Sequence, residues 1–125
     1  MGDRAFIVFY NATDVSPTVY FHWNGHDVPE WLEELKQVMS GREGDLSYAA
    51  ARFVGVANSH IDGNLSLGIW NTSTEIKRAI LNDNDELLRE YSHGDAGVIL
   101  VNVADFSWRA VGGYLKASKQ DETAA

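Results

Sequence analysis

The chain has 125 residues, with ten Lys and Arg against eighteen Asp and Glu, a net charge of −8. An apolar fraction of 45% suits one folded soluble domain. No apolar run of about eighteen residues could span a membrane, no secretory leader pattern is present, and the acidic balance argues against unspecific binding to nucleic acid or anionic lipid.

Arg4 to Tyr10 predicts a first strand, through the β-formers Phe6, Ile7, Val8, Phe9 and Tyr10. A connection rich in turn residues, with Asp14, Ser16 and Pro17, leads to a second strand over Thr18 to Trp23, ended by Asn24-Gly25. Both strands are apolar on both faces, as in a strand that is central in its sheet, or one covered on one side and ligand-lined on the other. Asp27 caps a first helix with Pro29 and Glu30 in its first turn. Trp31, Leu32, Leu35, Val38 and Met39 form its apolar stripe, and Gly41 ends it. Asp45 caps a second helix, whose small residues Ala49, Ala50, Ala51, Gly55 and Ala57 favour close packing.

Asp62-Gly63 reads as a turn, and Leu65 to Trp70 as a third strand. Ser73 or Thr74 caps a third helix through Ile76, Ala79 and Ile80; Leu87, Leu88 and Tyr91 suggest a short fourth. His93-Gly94-Asp95 is a turn before an apolar strand, Val98 to Val103. The last strand runs from Trp108 to Leu115, where Gly112-Gly113 suggests a bulge or an edge. The order ββααβαββ predicts an α+β domain: an antiparallel sheet of about five strands with two to three helices packed on one face. Residues 1–116 form that domain, and 117–125 a disordered polar tail.

Three stretches carry a resemblance: Ser16-Pro17-Thr18-Val19-Tyr20-Phe21-His22-Trp23-Asn24-Gly25, Tyr48-Ala49-Ala50-Ala51-Arg52-Phe53-Val54-Gly55 and Gly63-Asn64-Leu65-Ser66-Leu67-Gly68-Ile69. The turn Gly94-Asp95-Ala96-Gly97-Val98 is similar too. Together they resemble a group of small uncharacterised bacterial and phage proteins. The resemblance implies one shared fold and a phage or mobile-element setting. It carries no activity and transfers no functional residue.

Tyr20, His22 and Asn24 share a face by period two and form a candidate ligand surface, with Arg52 and Arg109 to reach a phosphate or carboxylate. The structural alternative for His22 is a satisfied core histidine. Glu30, Glu33 and Glu34, with Asp83, Asp85 and Glu86, are candidate contacts to a basic partner; otherwise they are solvated helix faces. His22, His26, His60 and His93 match no recognised ligand spacing, so no metal and no cofactor are expected. Neither a nucleophile elbow nor a phosphate-binding glycine loop occurs, so no catalytic residue is assigned. The chain has no Cys, which excludes disulfides and thiolate chemistry and fits the cytoplasm. Four Trp and five Tyr suggest a groove or a subunit contact, with the last strand pairing across a homodimer.

The leading expectation is a small acidic non-enzymatic binding protein. Its concrete form is a phage or mobile-element counter-defence inhibitor that occupies a host protein, itself nucleic-acid-binding, with no direct contact to nucleic acid or membrane. The alternative is a small-ligand protein that binds a nucleotide signal. A metal-dependent or hydrolytic enzyme using the four histidines is the third reading.

Overall fold

A computed structural model of the chain describes residues 2–61, 66–92 and 94–115. Its elements are β1 (Ala5–Tyr10), β2 (Thr18–Phe21), α1 (Val28–Val38), α2 (Leu46–His60), β3 (Leu67–Trp70), α3 (Thr74–Leu81), α4 (Asp85–Tyr91), β4 (Gly97–Asn102) and β5 (Trp108–Val111). A short 3₁₀ turn, Gly25–Asp27, leads into α1. The expected tail, the Asp62-Gly63 turn, Leu65 and His93 lie outside the described residues.

The five strands form one sheet in the order β3-β2-β1-β4-β5. The α+β class and the two terminal hairpins are as expected. The sheet is mostly antiparallel, but its centre is not: β1 and β4 run parallel, from Ala5 beside Gly97 to Tyr10 beside Asn102. The chain can reach that pairing because α3 and α4 carry it from the β3 edge back to the middle.

The helices are not on one face. Ala5, Ile7, Phe9, Val19, Phe21, Ile99 and Val101 form one core with α1 and α2. Phe6, Val8, Val98 and Leu100 point the other way and form a second core with Ile76, Ala79 and Ile80 of α3 and Leu88 of α4. β1 and β4 are apolar on both faces because both faces are covered. Phe53 of α2 is fully buried at the centre of the first core, with its ring 5.8 Å from Phe9, 5.9 Å from Phe21 and 6.4 Å from Trp31. Burying one such ring contributes about 3 kcal/mol.

Several boundaries differ from expectation. α2 continues to His60, and β5 stops at Val111. Gly112 and Gly113 therefore follow the strand. A Cβ on Gly113 would collide with the backbone of Asp95 and Ala96, so this glycine serves a close backbone approach.

Candidate functional site

The second helical layer packs α4 onto β4 and β5. At the other end of that face the sheet is covered by aromatic side chains. The Tyr20 ring lies 5.1 Å from Phe6 and 5.6 Å from Trp70. Tyr91, at the end of α4, sits 5.1 Å from Phe6 and accepts a 3.2 Å hydrogen bond from the Trp70 indole. The Tyr20 hydroxyl bonds Nδ1 of His22 at 2.9 Å, and the His22 ring meets Trp23 edge-on at 4.8 Å. Trp23 and Trp70 are each 42% exposed, and Ile69, on the opposite face of β3 from Trp70, is 54% exposed. Strand alternation explains the grouping: Tyr20 of β2 pairs with Gly68 of β3, and Trp70 follows two residues on, so its ring lies back over Gly68 on the same face.

A polar junction adjoins this cluster. The His22 carbonyl accepts from the Asp3 amide at 2.8 Å. The Asp3 carboxylate bonds His26 Nδ1 at 2.6 Å and accepts from the His26 amide at 3.0 Å. The Tyr114 phenol donates to its other oxygen. Burial pushes the Asp3 carboxyl up, but hydrogen bonds from Tyr114 and His26 outweigh this and hold it below its usual range. His26 is held above the usual imidazole range by its hydrogen bond to Asp3, with Asp27 adding attraction. Burial and the bond to Asp3 push the Tyr114 phenol well up. Beside them Arg4 Nε donates to Asp95 at 2.7 Å.

The expected ligand surface comes together only in part. Tyr20 and His22 are in contact, but Asn24 begins the 3₁₀ turn and gives its side-chain amide to Asp27 at 3.1 Å. Arg52 lies on α2, in the opposite helical layer, and donates to the Val38 carbonyl at the end of α1 at 2.6 Å. Arg109 is on β5, three strand spacings from β2, about 14 Å away. Its guanidinium binds Asp85 at 2.9 Å and Asp83 at 3.4 Å. Neither arginine can complete a site with Tyr20.

The acidic residues do not form one face either. Glu30, Glu33 and Glu34 belong to α1, whereas Asp83, Asp85 and Glu86 lie at α4, across the sheet. Asp83 and Asp85 hold Arg109, and Glu34 bonds His60, whose ring stacks on Trp31 at 6.2 Å. Glu30, Glu33 and Glu86 are exposed.

His22 and His26 face different partners, and among the described residues no group of three or more His, Asp or Glu side chains is placed to hold a metal ion. No helix among them is long and apolar enough to cross a membrane. The sequence reading missed Arg4, Asp3, Tyr114 and Tyr91. Each is paired by tertiary contact from far along the chain, and spacing carries no signal for that.

No protein-family model matches the chain, and no curated protein or solved structure is significantly similar to it.

Proposed function

We propose that the chain is a small acidic, non-enzymatic binding protein that acts by occupying a partner protein with the open end of its sheet around β2 and β3. One observation carries this reading: Trp23, just past β2, and Ile69 and Trp70 of β3, on its two faces, are large, apolar and roughly half exposed along this edge of the sheet. Aromatic residues of that kind dominate protein contacts, because a rigid ring buries much area at little entropic cost. The net charge of −8 would draw a basic partner to the molecule, and the uncharged edge of β3 would then take the apolar contact. An inhibitory role against a host protein in the cytoplasm, in a phage or mobile-element setting, is the concrete form of the proposal.

Quantitative capture from a bacterial lysate tests it, with wild type, Trp23→Ala and Trp70→Ala as baits. Both side chains are exposed enough for the variants to fold. A specific partner should be depleted about tenfold or more by either change, since a central aromatic contributes about 2 kcal/mol. Recovery of nothing above background, or equal recovery by all three baits, would overturn the proposal.

A planar ligand such as a nucleotide is the second reading, favoured by the 33° tilt and 5.6 Å separation of the Tyr20 and Trp70 rings. It lacks the arginines first expected there. A rise in Tm with one member of a nucleotide panel would support it, and a flat response would remove it.

A further inference from the structure

β3 ends the sheet, and its outer edge is both apolar and uncharged. From Ser66 to Thr74 the chain has no ionisable side chain. Sheet edges are often blunted by shortness, charge or proline; this one is short, four residues, but carries neither charge nor proline. In a chain of charge −8, pairing along this stretch brings no like-charged side chains of two copies face to face.

The register decides which backbone groups are free. The His22 amide donates to the Ser66 carbonyl at 3.0 Å, so His22 and Ser66 form a hydrogen-bonded pair. Alternation makes Tyr20–Gly68 and Thr18–Trp70 bonded pairs as well. The amides and carbonyls of Leu67 and Ile69 therefore point outward.

We propose that two copies of the chain pair antiparallel through these β3 edges, about a two-fold axis between their Gly68 residues. The proposal rests on reading the β2–β3 end as a binding surface, and names a second copy as the occupant of its edge. Within the four residues of β3, this register satisfies every outward group: Leu67 of each copy exchanges two hydrogen bonds with Ile69 of the other. The non-bonded pair at the axis brings Cα atoms to about 4.5 Å, and Gly68 leaves that space open. The Trp70 ring already lies over Gly68, 3.5 Å from where a Cβ would sit. Two such rings would flank the axis on one face, while each Ile69 packs beside the partner's Leu67 on the other. The 54% exposure of Ile69 would be lost, and the two aromatic clusters would join into one surface across a ten-stranded sheet. β5, the other edge, exposes no comparable side chain: Trp108 and Ala110 pack against the first core.

Analytical ultracentrifugation of the full chain from about 1 to about 500 μM tests the proposal. Wild type should sediment as a dimer at the upper end. Ile69→Lys places a charge in the apolar pair, and Ile69→Pro removes an outward N–H without touching the bonds to β2. Each should weaken dimerisation at least tenfold while circular dichroism shows a native fold. Val38→Lys, an exposed position on α1, should leave the dimer unchanged. A wild type that stays monomeric throughout, or Ile69 variants that pair as tightly as wild type, would overturn the proposal. A monomer whose capture of a partner still depends on Trp70 overturns the dimer and leaves the binding reading standing. A dimer that captures nothing does the reverse.

Discussion

The phenol of Tyr114 donates a hydrogen bond to Asp3, 111 residues earlier in the chain, and closes the sheet end against the start of the domain. His26 holds the other oxygen of the same carboxylate. The imidazole of His26 is favoured in its charged form by the bond to Asp3 and by the charge of Asp27. Its folded pKa is raised, so its contribution is complete below the ordinary imidazole value and fades as pH rises through the raised one. Wild type should therefore exceed His26→Gln in Tm by more at about pH 5.5 than at about pH 8.5. An equal gap at both values would show that the charge of His26 does not matter. Tyr114→Phe, which keeps the ring, should cost about 1 kcal/mol near neutral pH in chemical denaturation.

Two glycines should respond in opposite directions. A Cβ on Gly113 would enter the backbone of Asp95 and Ala96, and neither is a flexible side-chain end. Gly113→Ala should cost about 3 kcal/mol and lower Tm by about 10 °C. Gly55 lies on the exposed side of α2 with nothing within 4 Å of its Cβ position. Gly55→Ala should stabilise by up to about 1 kcal/mol, because alanine loses less backbone freedom in a helix. Parallel thermal melts compare the two.

Ser16 is 2% exposed and replaces a backbone partner. Its amide donates to the Phe9 carbonyl at 2.7 Å, while its hydroxyl accepts from the Phe9 amide at 2.9 Å. Tyr10 bridges Val15 whereas Ile7 faces Val19, so the register shifts by one residue here, a bulge that accommodates Pro17. Ser16→Ala would leave the buried Phe9 amide without an acceptor, a loss of about 2 kcal/mol in urea denaturation. Ser16→Thr, which keeps the hydroxyl, should lose less.

Much of the local chemistry was readable in the sequence, although Asp27 stands at the start of α1 without its expected cap and bonds Asn24 instead. The Asp45 carboxylate accepts from the Tyr48 amide and the Ser73 hydroxyl from the Ile76 amide, as capping patterns predict. Sheet order was not readable. Each hairpin reveals its own antiparallel pair, but the parallel contact between β1 and β4 forms across some ninety residues. The continuous apolar runs of those two strands were the available sign of helices on both faces. Phe106 left no sign at all. It takes a left-handed conformation, φ 61°, held by burial of the residue in the first core and by the bond of its amide to the Asn102 carbonyl. At the candidate site, period two grouped Tyr20 with His22 correctly, one residue past the end of the strand, but failed at Asn24, where the chain turns into the 3₁₀ segment.

Arg109 separates a structural role from a ligand-binding one. Its side chain is 29% exposed, and its guanidinium lies 2.9 Å from Asp85 and 3.4 Å from Asp83, so it ties β5 to the α3–α4 turn. A double-mutant cycle with Arg109→Met and Asp85→Asn should give a coupling energy of about 1 kcal/mol, as for a partly exposed pair with good geometry. That coupling should weaken as salt rises, because the pair is partly screened. Partner capture by Arg109→Met should equal that of wild type, since the residue lies at the edge of the sheet opposite to Trp70. A vanishing coupling energy together with lost capture would return Arg109 to the binding surface.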